Sequence, residues 1–307
     1  MKKQTSMAPY FSAKAWAALA TLALLLSACD KEKEPIPGYL NLQPFTVQST
    51  NPSVHGSVSS KITHARISLL DPVDSTTQLI GLFELPATMP VLAEGQKTAF
   101  IDPVIKANGN SFYLEAYPFY ERFFGTVQIV PGQEAEIKPT TSYKDGIKFV
   151  FIEDFEGSSH LFENDQDGNT NTAVVASSSD VFEGEKSGKI VLDSANFFAI
   201  VATNNFYTID YREAGRVYLE VNYKTEVPLE FGLLAVDNVS GLVPNFEFVV
   251  LAKNEWNKIY FDLTELIRTA TVDKFHIVFR GFIPIENGVP TLDEAEIYLD
   301  NIKLIHL

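Results

Sequence analysis

From residue 39 onward, apolar and polar residues alternate with a period of two in short runs, and turn residues separate the runs. Gly125-Thr126-Val127-Gln128-Ile129-Val130 shows the pattern cleanly, and Pro131-Gly132 closes it. The first half of the chain predicts strands at about 42–47, 65–70, 80–85, 98–104, 111–116, 125–130 and 135–138. Asn108-Gly109 is its strongest hairpin signal. Pro139 to Gly146 gathers Pro, Gly and hydroxyl residues ahead of a clean apolar strand at 147–152, which marks a domain boundary. Further strands are expected at 188–192, 198–202, 217–223, 229–236, 246–251, 258–263, 274–279 and 295–305. Only 263–270 carries a helical pattern. The fold class is therefore all-β, with two tandem antiparallel β-sandwiches: an immunoglobulin-like one over 39–143 and one of jelly-roll size over 147–307. The 23 Phe and 12 Tyr residues fit sheets better than helices. The cluster Tyr117-Pro118-Phe119-Tyr120 with Phe123 and Phe124 reads as core or domain interface, the alternative being an exposed ligand platform.

The N-terminus follows different rules. Lys2, Lys3 and Lys14 precede an uncharged stretch over 15–28, too short for the ~18 to 20 apolar residues of a spanning helix. It ends in Leu26-Ser27-Ala28-Cys29, which resembles the lipobox of bacterial lipoproteins. The resemblance implies that 1–28 is a removed signal peptide and that Cys29, the one cysteine in the chain, carries the lipid that anchors the protein to a membrane. Residues 29–38, charged and then Pro-rich, form a tether able to span roughly 30 Å. Acidic residues just after the lipidated cysteine resemble the surface-export signal of Bacteroidota lipoproteins, which implies an outer-membrane location facing outward.

With Cys29 lipidated, no thiol is left for a disulfide or a Cys-based metal site. Taking the three leader lysines from 24 basic residues leaves 21 against 39 acids, a formal charge of −18. That charge argues against nucleic acid as a partner and against an acidic polysaccharide. The five histidines stand singly, no nucleophile or metalloprotease motif is present, and no Gly-rich loop opens a helix, so no enzymatic activity is expected. Glu163-Asn164-Asp165-Gln166-Asp167-Gly168 imitates the start of a calcium loop, but the twelfth position is Val174 where a bidentate Glu is required, so it reads as a polar loop.

Four segments of the second half carry a family resemblance: Glu153-Asp154-Phe155-Glu156-Gly157, Glu183-Gly184-Glu185-Lys186-Ser187-Gly188-Lys189-Ile190, Trp256-Asn257-Lys258-Ile259 and Ile297-Tyr298-Leu299-Asp300-Asn301-Ile302-Lys303-Leu304. Together they resemble the galactose-binding-like jelly rolls, a group that includes many carbohydrate-binding modules. The resemblance implies a structural Ca²⁺ held by Glu156 (or Asp154), the loop at Glu183, and Asp300, with no organic cofactor. Sugar recognition uses flat aromatic faces, and the candidates are Trp256, with Tyr207, Tyr211 and Phe246 in loops or strand ends. Two function classes follow. One is a non-catalytic envelope lipoprotein that binds glycan through its C-terminal jelly roll, and the other is an assembly lipoprotein that docks on an outer-membrane protein.

Overall fold

The computed structural model describes residues 34–237, 241–269 and 274–307; Cys29 and the leader lie outside the described residues. Two sandwiches follow one another as the alternation implies. In the first, strand Gly38–Leu42 lies between Ala87–Val91, antiparallel, and Glu134–Ile137, parallel. Facing them is a five-stranded sheet of Thr77–Glu84, His64–Leu70 and Gly95–Lys106, with Leu114–Ala116 and Phe123–Ile129 both pairing the long strand. Every second residue turns inward, so Leu40, Leu42, Ala65, Ile67, Leu69, Ile101, Val127 and Ile129 make one core. Asn108 and Gly109 adopt φ of 56° and 68° in a local turn closed by the Asn110 N–H on the Ala107 carbonyl, inside the longer 107–113 loop that joins Gly95–Lys106 to Leu114–Ala116 and not in a two-residue hairpin.

The second sandwich packs a six-stranded sheet on a five-stranded one. The larger sheet runs Val175–Ser177, Ser187–Asp193, Glu294–His306, Val217–Thr225 and Lys253–Asp262, with Lys148–Glu153 paired to the far half of Glu294–His306. The smaller runs Asn164–Asp165, Phe198–Ala202, Phe275–Phe282, Leu229–Asp237 and Gly241–Val250. Phe155, Phe162, Ile190, Leu219, Phe231, Phe261, Phe279 and Leu299 fill the space between them. No helix among the described residues is long and apolar enough to cross a membrane.

The two sandwiches are packed together along one buried face. Tyr117, Phe119 and Tyr120 of the first, and Tyr143 of the connection, meet Tyr218, Tyr260 and Ile305 on the outer face of the larger second-domain sheet. The rings meet edge-on: Tyr117 lies 5.3 Å from Tyr218 at 90°, and Phe119 lies 5.7 Å from it at 89°. Tyr117, Phe119 and Tyr120 are thus interface, whereas Phe123 packs on the first domain's own core and Phe124 is exposed. The connection is packed as well. Thr140–Thr141 pairs with Thr46–Val47, Tyr143 is buried, and Lys144 donates to the Pro118 carbonyl at 2.6 Å. The segment 139–146, expected as a boundary, is thus a packed connection and no open linker.

Within this interface lie charges. Glu220, fully buried, pairs with Lys258 Nζ at 2.6 Å and accepts hydrogen bonds from Tyr117 Oη at 2.7 Å and Tyr143 Oη at 2.9 Å. Burial works to raise the Glu220 pKa, but the Lys258 and Lys303 ammoniums outweigh it and hold the carboxyl below its ordinary range. Lys303 donates to the carbonyls of His55 and Ser57, so the segment around Pro52–His55 is bound to the second domain. A second tie joins Arg216 to Glu115 of the first domain at 2.5 Å and to Asp262 at 2.9 Å.

Candidate functional site

First-domain residues cover only part of the outer face of the six-stranded sheet. Along strand Val217–Thr225, alternate residues point outward: Tyr218 and Glu220 lie beneath the first domain, Asn222 accepts from Ser59 Oγ at 2.8 Å, and Lys224 lies beyond that contact. Around Lys224 the sheet and the preceding loop bring together Trp256, Tyr298, Phe182 and Asp180.

Trp256 is half-buried, its ring 5.6 Å from Phe182 and 6.3 Å from Tyr298. Its indole N–H donates to Asp180 Oδ1 at 2.7 Å, which fixes the ring's orientation. Asp180 also takes the Lys224 ammonium, while Lys189 pairs with Glu296 at 2.6 Å and Tyr298 Oη donates to Glu296 at 2.7 Å. The hydrogen bond from Lys189, followed by that from Tyr298, lowers the Glu296 pKa; the bond to Asp180 raises that of Lys224. Two cations and two anions are mutually neutralised around an aromatic group. This patch can offer ring faces and fixed polar groups to a neutral, hydroxyl-rich ligand.

The other aromatic candidates lie elsewhere. Tyr207 packs on Phe151 at 5.0 Å and its backbone pairs with Phe275, so it belongs to the edge of the core and presents no platform. Tyr211 opens the short helix Tyr211–Ala214, capped by Asp210; its side chain lies outside what the structure describes. Phe246 lies on the outer face of the smaller sheet, with the Arg280 guanidinium 4.6 Å above its ring and Glu230 paired to that arginine. Only Trp256 joins the neutralised patch. Phe182 and Asp180, both in an irregular loop, belong to the site and carry no sequence signal of their own.

The acids Asp154, Glu156 and Glu183 do converge. They line one cleft of about 420 Å³ with Gly184 and Asn301, and Asp300 lies buried beside them. Most of their oxygens are occupied locally. Glu156 Oε1 takes the N–H groups of Glu185 and Lys186 at 2.7 and 2.9 Å. Glu183 takes the hydroxyl of Ser57 and the Asn301 amide, and Asp300 accepts from the Glu183 and Asn301 N–H groups at 3.2 and 2.7 Å. Burial, with the Glu183 and Asp154 charges adding to it, pushes Asp300 up to about 7 despite those two hydrogen bonds. Among the described residues no group of three or more His, Asp or Glu side chains is arranged to hold a metal ion. In the 163–168 loop, Asp165 and Asp167 accept backbone N–H groups of their own loop and of Ile200, as a polar loop does.

No protein-family model and no curated protein sequence matches the chain. Solved structures similar to it include the family 30 carbohydrate-binding module of a cellulosomal cellulase of Clostridium thermocellum, at 13% identity and TM-score 0.34, covering 53% of this chain and 94% of that one. A family 29 module from Piromyces equi matches at 12% identity and TM-score 0.31, covering 52% and 91%. A xylan-binding domain from Paenibacillus barcinonensis matches at 15% identity and TM-score 0.34, covering 51% and 99%.

Proposed function

We propose that the protein is a non-catalytic, lipid-anchored envelope protein that binds a neutral glycan on the uncovered part of its second-domain sheet, around Trp256. The observation that carries the reading is the Trp256 ring, half-exposed between Phe182 and Tyr298 and oriented by Asp180, in a patch whose charges are all paired. A sugar ring stacks on such a face without having to strip charge from it. A glycan array with the full chain checks the proposal. Neutral oligosaccharides bind weakly, Trp256→Ala removes binding with the melting curve retained, and Trp256→Phe restores part of it. Neutral-glycan binding that survives Trp256→Ala in a folded protein would refute the site.

Calcium is the proposed occupant of the acidic cleft. The support is a buried Asp300 whose charge is costly without a cation, and loop carbonyls would have to supply ligands that the acids do not. Cys29 is the proposed anchor, and the outward face of the outer membrane the proposed location.

A second reading, docking on an outer-membrane protein, is favoured by one feature of the first domain. Across the outer face of its five-stranded sheet run Leu79, Phe100 and Phe124, the first 65% and the last 62% exposed. An apolar row of this kind is a protein-contact surface more often than a sugar platform. Recovery of a stoichiometric partner by full-length protein, lost in Phe124→Asp, would favour this reading over glycan capture.

A further inference from the structure

We propose that the cleft at the junction of the two domains binds an anionic saccharide, one carrying a carboxylate or a sulfate ester, between Lys61, Lys106 and Lys253. The proposal stands independently of the Trp256 patch.

The cleft has a volume of about 430 Å³, and both domains build it. That size falls within the ~300 to 1,000 Å³ of small-molecule sites. Its described lining includes four lysines and no carboxylate, in a chain with 39 acidic and 24 basic residues. Lys258 is neutralised by Glu220. The other three are not matched in this way. Lys61 donates to the side-chain carbonyl of Asn257, a neutral acceptor. Lys106 has its nearest carboxylate, that of the exposed Glu84, 3.8 Å away. Lys253 forms no ion pair among the described residues. Burial, followed by the charges of Lys253 and Lys106, lowers the Lys61 pKa, so the ammoniums repel one another in the free protein. An anion placed among them relieves that repulsion and gains charge-assisted hydrogen bonds.

A saccharide suits the remaining walls better than a bare inorganic anion. Tyr223, Asn257, Asn108 and Ser111 bring hydroxyl and amide groups to the cleft, and Val249 and Leu251 give it an apolar side. Ser111 is followed in the chain by two exposed aromatic residues, Phe112 at 95% and Tyr113 at 63%. A sugar ring with an acidic substituent uses all three kinds of wall, whereas sulfate or phosphate uses only the lysines.

Calorimetric titration of the full-length protein tests this with four probes: a galacturonate trisaccharide, a sulfated chondroitin disaccharide, a neutral maltotriose and inorganic sulfate. At least one anionic sugar should bind about tenfold tighter than maltotriose and sulfate, and its affinity should fall as salt rises. Lys61→Gln and Lys253→Gln should each weaken it about tenfold, the effect of losing one charge-assisted hydrogen bond, and Lys61→Arg should retain most of it. Lys253 is exposed, and Lys61, exposed along its stem with its ammonium end in the cleft, bonds only a neutral amide, so these variants should keep close to the parental melting temperature. Trp256→Ala should leave this binding unchanged, which separates it from the neutral-glycan site. The proposal is overturned if neither anionic sugar binds at low salt, if maltotriose binds as well, or if neither lysine variant matters. Sulfate binding as tightly as the sugars would make the cleft a free-anion site and would also overturn it.

Discussion

Glu220→Gln tests whether the two sandwiches behave as one unit. The glutamate is fully buried between them, with Lys258 3% exposed at 2.6 Å and two tyrosine hydroxyls donating to it. The amide keeps the shape and one acceptor oxygen, but it leaves the Lys258 ammonium buried without its counter-charge. Breaking a buried pair in this way costs about 3 to 5 kcal/mol. For a chain of this length each kcal/mol moves the melting temperature by about 2 to 4 °C, so a fall of about 6 to 20 °C is expected. Differential scanning calorimetry at pH 7 should show one transition in the parent and one, shifted down, in the variant. The gap should also depend on pH. The folded-state pKa of Glu220 lies below that of the unfolded chain, so its contribution is present at neutral pH and is lost as pH falls through the acid range. Parent and variant should therefore converge toward low pH. A shift under about 1 kcal/mol, or two separate transitions with only one of them moved, would show that the interface does not couple the domains.

Asp300 has the opposite sign: its folded pKa, about 7, lies above the unfolded value, so its contribution is present below the ordinary carboxylate range and is lost as pH rises through 7. In chelator the melting temperature should fall between pH 5 and 8, and Asp300→Asn should flatten that slope; a slope that persists in the variant would assign it to other groups. Calcium at tenfold its dissociation constant, itself ~0.1 to 1 mM for exported modules, should restore roughly 1.4 kcal/mol at pH 8 to the parent and nothing to Asp300→Asn, whereas a melting curve indifferent to calcium would leave the cleft as surface charge. Limited proteolysis should spare 139–146, where Thr141 and Tyr143 are buried, and a first cut there would contradict the packed connection. Cys29→Ser should abolish palmitate labelling, and labelling that survives would remove the anchor.

How much of this was legible depended on whether one face of a strand meets water. Gly125 to Ile129 alternates and was readable, because only its inner residues are buried. Ala87–Val91 was missed: Pro86 and Pro90 flank or interrupt it, and its edge position tolerates a proline that a central strand would not. Val217–Thr225 and Glu294–His306 are buried on both faces, so Glu220, Asp300 and Lys303 look like solvent-facing residues of ordinary strands and are not. Nothing local says that the first domain covers Glu220 and Lys303, or that the loop at Glu183 folds against Asp300. Tyr207 was misjudged for a related reason, since its loop folds back to pair with Phe275.

The same covering explains why the two candidate ligand regions differ in charge. Net charge counts against an acidic ligand only when charge is spread evenly, and here it is not. Lys61 and Lys106 come from the first domain, Lys253 and Lys258 from the second, and only docking brings them to one cleft. Docking also fixes where the covered part of the sheet ends, and hence where Trp256, lying beside the buried Tyr298, begins to face solvent. Binding specificity on either region therefore depends on the relative placement of the sandwiches, which the Glu220 network and the Arg216 tie hold in place. A variant that loosens the interface without unfolding either core should lose affinity at the lysine cleft first. That cleft needs residues from both domains, whereas the Trp256 patch is made by the second domain alone.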